Sequence, residues 1–298
     1  MLSYTKLRNS YNDEVSGGTL TSAQLTVGDR RINSEIKVLL RSHAWPFLET
    51  TGTTATIAST QFYNYPANVG KYHGVSITIG SRTYVPSECV SKSDWDKLNE
   101  VAITADIPEW YFIFGGQVGF YPKPSTAGNT ITHIYRKGFR DLSRADYTTG
   151  AIASITSGST LVTGSASVWS ASMAGRYISI AVTDAANSGD GEWYEIATSS
   201  TTTVVLVKNY MGASISGASQ TYTIGEMSPI PDGYQEIPLY GACAIYFASI
   251  DENRANYYKN LKDGLVAQLI ADQGSKSDNV IVEDMDTSRD NPNNYVSL

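Results

Sequence analysis

The stretch that most limits what this chain can fold into is Ile107–Pro124, which reads Ile-Pro-Glu-Trp-Tyr-Phe-Ile-Phe-Gly-Gly-Gln-Val-Gly-Phe-Tyr-Pro-Lys-Pro. Trp110 to Phe114 is an apolar and aromatic run, Gln117 to Tyr121 is a second, and only Gly115 and Gly116 stand between them. A two-residue loop joins antiparallel strands most readily when both residues take positive φ, which glycine does at no steric cost. The spacing predicts a tight hairpin. Pro122 and Pro124 then stop the second strand, because proline has no N–H to give to a ladder. Pro108 and Tyr121 frame the hairpin, which is predicted to be buried scaffold.

Helical patterns flank the β-rich centre at both ends of the chain. Tyr4, Leu7 and Tyr11 share one helical face, and Gly17–Gly18 breaks that helix. Leu25, Ile32, Ile36, Leu39 and Leu40 form a second stripe, with Thr21 or Ser22 as the N-cap. Pro46 is predicted to end this helix, placing Trp45 and Phe47 at a helix-to-strand corner. From Thr51 the period changes to two, giving short strands at 53–57, 61–65, 75–79 and 83–85. A short helix through Trp95 and Leu98 follows, then the hairpin and a strand over 130–135. Near the C-terminus, Ile237 to Ala248 and Asn253 to Ile270 again read as helices, with Asp251 as a cap and Gly274 as the stop.

Between these host elements the texture changes. Residues 150–225 hold only two basic side chains, Arg176 and Lys208, and four acidic ones, Asp184, Asp190, Glu192 and Glu195. Strand-like runs recur at 151–155, 160–163, 176–182, 192–198, 203–207 and 220–224, separated by Ser, Gly and Asn. Even spacing of this kind indicates a small all-β sandwich or barrel. The fold class expected is therefore α+β: a helical bundle of N- and C-terminal helices packed with antiparallel β hairpins, plus an inserted all-β domain. The host domain is expected over 1–147 and 226–274, the insert over 148–225, and an extended C-terminal tail over 275–298. That tail carries five acidic and two basic residues and two sets of apolar beads, Val280, Ile281, Val282 and Tyr295, Val296, Leu298. Such beads predict docking on a neighbouring protein.

Charge and chemistry narrow the function classes. Charged residues are 17% of the chain, the net charge is −7, and no basic block occurs, so wrapping a nucleic acid is disfavoured. Tyrosine occurs 20 times, a residue suited to meeting other protein surfaces. Cys89 and Cys243 form no Cys-x-x-Cys pair and read as buried apolar fillers in a reducing compartment. No signal peptide and no run long enough to span a bilayer are found, predicting a protein made and folded in a cytoplasm. His43, His73 and His133 lack metal-ligand spacing, and no nucleophile elbow or phosphate-cradling loop occurs. The best metal candidate, Asp184, Asn187, Asp190 and Glu192, lacks the spacing of a calcium loop and reads as a solvated hairpin tip. Asp251–Glu252 and Glu283–Asp284 read as a helix start and a tail charge cluster. Neither catalysis nor a cofactor is expected.

Three pieces in order resemble the head-to-tail adaptor proteins of tailed bacteriophages, connector rings of the tail-tubular-A type. They are Ile32-Asn33 with Trp45-Pro46-Phe47-Leu48; then Pro108, Tyr111, Gly115–Gly116 and Phe120-Tyr121-Pro122-Lys123-Pro124; then Ile134-Tyr135-Arg136 with Leu142. The insert resembles a β-module of phage virion proteins through Gly158-Ser159, Val162 to Ser165, Trp169, Ala174-Gly175, Tyr194-Glu195-Ile196, Val204 to Leu206, Tyr210-Met211-Gly212 and Tyr222-Thr223-Ile224. Simple adaptors lack such an insert, so the resemblance assigns it no role.

The resemblance implies a non-enzymatic ring, usually dodecameric, seated between the portal and the tail or nozzle proteins at the head-tail interface of the virion. Such a ring extends the DNA channel, retains the genome and supports its ejection, and DNA passes through the lumen without specific binding. Assembly is expected in the host bacterial cytoplasm, with no membrane partner. The C-terminal beads Val280, Ile281, Val282, Tyr295, Val296 and Leu298 become portal-contact candidates. Trp45, Pro46, Phe47, Pro108, Gly115, Gly116, Tyr121 and Pro122 become fold-defining positions. Two alternatives stand beside this reading. One is a virion β-module protein that binds host glycan or decorates the tail; the other is a glycan-cleaving tail enzyme.

Overall fold

The fold is that of a computed structural model describing residues 1–273 except 168 and 184–187, with the backbone alone at 218 and 219. Helices α1 (Tyr4–Ser16) and α2 (Ser22–Ser42) open the chain. Strands β1 (Glu49–Ala55), β2 (Phe62–Asn64), β3 (Val69–Ile79), β4 (Arg82–Tyr84) and β5 (Ser87–Glu88) lead to helix α3 (Lys92–Leu98). Next come β6 (Thr104–Ala105), β7 (Trp110–Phe114), β8 (Gln117–Tyr121), β9 (Lys123–Pro124) and β10 (Thr130–Lys137). Seven strands follow: β11 (Ala151–Ile155), β12 (Leu161–Ser165), β13 (Tyr177–Ile180), β14 (Trp193–Ser199), β15 (Thr203–Leu206), β16 (Ile215–Gln220) and β17 (Tyr222–Gly225). Helices α4 (Ile237–Phe247) and α5 (Glu252–Gln273) close the described chain. The fold is α+β, with five helices and several antiparallel sheets among the described residues.

Two compact units emerge: residues 1–43 with the described residues from 141 onward, and Ala44–Arg140. The boundaries expected from sequence at 147/148 and 225/226 both fall inside the first unit. In that unit α1, α2 and α5 each pack on α4. Helix α4 is apolar on all sides and buries Ile237, Leu239, Ala242, Cys243 and Phe247, while Ile245 stays exposed. Gly241 permits the closest approach, since a Cβ there would lie 2.4 Å from Glu35 Oε2. Aromatic contacts knit the bundle. Arg254 lies 3.9 Å over the Phe247 ring, Phe247 stacks on Tyr258, and Tyr258 Oη donates to Glu14 Oε2 at 2.5 Å. Thr21 starts α2 with a capping box shared with Gln24, and Ser3 caps α1.

The same unit holds a seven-stranded sheet in the order β16-β11-β12-β15-β14-β13-β17. Its outermost strands, β16 and β17, are consecutive in the chain and separated only by Thr221. A sheet whose two edges are joined by one residue has to roll, and this one forms a half-barrel. The sequence predicts a single strand over 220–224 there; the structure instead has two strands, with a corner at Thr221. Inside lies a core including Ile152, Val162, Trp169, Ile178, Ile196, Val204, Tyr210 and Ile224. Trp169 Nε1 donates to Tyr222 Oη at 2.7 Å, and Tyr222 donates to Thr149 O at 2.5 Å, so the polar tips of both rings are satisfied.

Residues 44–140 form a second β structure with two four-stranded sheets, β1-β10-β3-β4 and β2-β8-β7-β5. They share one core: Tyr63, Val75, Ile77, Tyr111, Val118, Phe120 and Ile131. Short parallel pairs, β5 with β7 and β6 with β9, occur beside the antiparallel ladders, a feature alternation alone does not reveal. Helix α2 ends at Ser42, ahead of Pro46, and Pro46 instead begins a 3-10 turn through Leu48.

Candidate functional site

The hairpin forms with Trp110 opposite Tyr121 and Phe114 opposite Gln117. Gly115 and Gly116 take φ +58° and +80°, the mirror-image turn that matches strand twist. Pro108 and Pro122 are buried, and the Tyr121–Pro122 peptide is cis. At the corner Trp45 is fully buried and stacks on Phe47, ring centroids 5.5 Å apart. Tyr121 is half-buried, and its Oη donates to Val101 O at 3.3 Å. The portal-contact candidates Val280, Ile281, Val282, Tyr295, Val296 and Leu298 lie outside the described residues, as do Glu283–Asp284 and Gly274.

Two pieces of the sequence resemblance meet directly. Asn33 is buried on α2, where its Nδ2 donates to Leu142 O at 2.9 Å and its Oδ1 accepts from Leu142 N at 2.8 Å. This reciprocal clamp holds the segment that leads into the half-barrel. A second junction lies at the exit of β17. Glu226 Oε2 accepts from the backbone N–H groups of Ser143 and Arg144 at 2.7 and 2.8 Å. Beside it the buried Arg176 guanidinium donates to Ala145 O and Ile224 O, both at 2.7 Å. Burial lowers the Arg176 pKa, and the neighbouring Glu226 charge opposes that shift. Ser3 Oγ donates to Asp146 Oδ2 at 2.7 Å. Sequence reasoning missed this cluster, because its residues are far apart in the chain and carry no periodic signal.

Among the described residues no group of three or more His, Cys, Asp or Glu is placed to hold a metal ion. His133 is fully buried, with Tyr72 Oη 2.7 Å from Nδ1 and Thr54 Oγ1 3.2 Å from Nε2. Burial lowers its pKa. Of the metal-loop candidate, Asp184 and Asn187 lie outside the described residues. Its Asp190 accepts from Tyr194 Oη at 2.5 Å and from the backbone of Glu192, and so closes a turn. Asp251 caps α5, accepting from Arg254 N at 3.1 Å. Cys243 is buried and its thiol pKa is pushed up to about 12, chiefly by burial; Cys89 is likewise a buried free thiol. A cleft of about 500 Å³ beside α4 and α5 contains Glu35, whose carboxylate is paired with Lys262 at 2.5 Å.

An open apolar surface lies in residues 44–140. A groove of about 620 Å³ is lined by Val90, Leu98 and Trp110, with Glu88, Asp94 and Lys97 at its rim. Cys89 N donates to Tyr111 O, tying the floor to β7, and Trp95 stacks on Phe112 beneath α3. Val90 is 86% exposed and Val101 62%. Val101 lies outside that lining and is reached through the hairpin: Trp110 pairs with Tyr121, and Tyr121 Oη donates to Val101 O at 3.3 Å. Exposed apolar residues gathered in this way mark a candidate interaction surface or ligand groove. The candidate site is therefore this groove, carried on the β structure of residues 44–140.

The sequence model of the SU10 adaptor protein family matches residues 5–155, half of the chain. The chain belongs to that family. It is accordingly a bacteriophage structural adaptor and a component of the virion, and the partners of such an adaptor are portal and tail proteins. The match takes in α1, α2, the whole of 44–140 and the clamp from Asn33 to Leu142, and it ends at β11. No curated protein matches the chain. No described helix is long and apolar enough to cross a membrane.

Proposed function

We propose that this protein forms a ring, dodecameric in number, that joins the portal to the tail and extends the DNA channel. The observation that carries this reading is the family match over 5–155, which covers the complete β unit and its exposed groove. The ring retains the packaged genome and supports its ejection without turnover of any substrate. An acidic chain of net charge −7 repels DNA, so the duplex slides through the lumen instead of being gripped. Residues 275–298, with beads Val280 to Val282 and Tyr295, Val296 and Leu298, reach into the portal, and the half-barrel is an addition to the adaptor.

Mixing the purified chain with its portal and imaging by negative stain tests the proposal, and rings seated on the portal are the expected result. Persistent absence of rings sinks it. Deleting 275–298 should weaken portal binding while the circular dichroism spectrum stays unchanged. Equal binding by the truncated chain would exclude the tail as the docking segment.

A further inference from the structure

We infer that the apolar groove of residues 44–140 seats the opposite, basic edge of the same unit in a neighbouring copy of this chain. The inference rests on the ring reading above and names the surfaces by which copies meet. The two sheets of the unit share one core, and β4 runs into β5 through only Val85 and Pro86. Strands β4 and β5 therefore border one side of the sandwich, with β1 and β2 at the far ends of their sheets. The groove lies on the β5 side, between β5, β7 and α3.

Charge is segregated in the same sense. On the groove side, Glu88, Asp94 and Lys97 line the rim, and Asp96, Glu100, Asp106 and Glu109 lie in the same stretch from Pro86 to Trp110. Lys92 pairs with Asp96 and Lys97 with Asp94, which leaves Glu88, Glu100, Asp106 and Glu109 as the excess acid. On the far side, β1, β3 and β10 carry Lys71, Arg136 and Lys137 against the single acid Glu49, whereas Arg82 on β4 lies on the groove side. Register brings these three basic residues together. Arg136 lies between Glu49 on β1 and Lys71 on β3, and Lys137 follows it.

Strand β1 is an edge of its sheet, and its sequence Glu-Thr-Thr-Gly-Thr-Thr-Ala contains none of the lysines, prolines or inward charges that keep an open edge from pairing. One unit thus offers an apolar groove with an acidic rim on one side and an open strand flanked by basic residues on the other. Surfaces that differ, complement each other and lie on opposite sides associate head to tail, the kind of contact that closes into a ring when the rotation permits. Opposite charge favours that pairing over groove against groove.

The experiment places the photo-reactive residue p-benzoylphenylalanine at Val90 or at Val101 in the full chain. Each variant is irradiated alone at high concentration and mixed with portal. Expected are dimers and larger crosslinked species, with the new bond mapped by mass spectrometry to residues 49–55, 69–73 or 134–137. The double reversal Glu88→Lys with Asp94→Lys should lower the crosslinked yield about tenfold. Adding a second chain carrying Lys71→Glu and Lys137→Glu should restore it, and circular dichroism of every variant checks the fold. Absence of crosslinks under both conditions overturns the inference. So does a bond mapped to 275–298, which would make the C-terminal segment the occupant, or one mapped elsewhere. Rings seen on the portal without these crosslinks leave the ring standing and remove this contact. Crosslinks without rings keep the contact and remove the ring.

Discussion

Replacing Glu226 by alanine should loosen the junction at which the chain enters and leaves the half-barrel. The carboxylate is 6% exposed, and one of its oxygens accepts two backbone N–H bonds at 2.7 and 2.8 Å. Hydrogen bonds to a charged acceptor contribute roughly 1.5–3 kcal/mol each. The ion pair to Arg144 adds little, since its distance is 3.5 Å and Arg144 is 38% exposed. Alanine also removes the charge that offsets the burial of Arg176. Ser143 is exposed, so water replaces part of what is lost. The net cost for Glu226→Ala is about 2–4 kcal/mol. Glu226→Gln keeps an acceptor for the same N–H groups and forfeits only the charge, for about 1 kcal/mol. Urea titration followed by tryptophan emission reads the difference, because Trp169 and Trp193 both belong to the half-barrel region. The reasoning fails if the alanine variant unfolds at the native midpoint, or if glutamine costs as much as alanine.

Four further outcomes follow from the same structure. The folded-state pKa of His133 is depressed by burial, so the fold favours the neutral ring. The unfolded chain then binds more protons below about pH 6.5, and stability falls as pH drops through that window. Unfolding midpoints at pH 7.5 and 5.5 should differ more in the native chain than in His133→Gln. Gly116→Val forces a β-branched residue to φ +80° and should cost at least about 1–2 kcal/mol, read as a lower urea midpoint. On the helices, Gly241→Ala drives a methyl into Glu35 and should cost about 1–3 kcal/mol. Gly264→Ala on α5 meets open space and should gain about 0.5–1 kcal/mol, an opposite sign that thermal melts can resolve.

By itself the sequence determined the local elements. Paired glycines set the hairpin, because positive φ is a property of single residues and needs no tertiary help. Stripes at helical spacing placed α1 and α2, a run apolar on every side placed α4, and Thr21 and Asp251 stood where caps belong. Alternation found most strands of the half-barrel, since a pleated strand repeats every two residues wherever it lies. Only the tertiary structure decided what those elements meet. Period two runs unbroken through Thr221, yet the chain turns a corner there to join opposite edges of one sheet. The clamp from Asn33 to Leu142 spans 109 positions, and the Glu226 contacts span more than 80, so neither leaves any period to read. The groove was hidden for a related reason. Valines and tryptophan buried in a core and exposed for a partner carry the same letters, and only packing distinguishes the covered face from the open one.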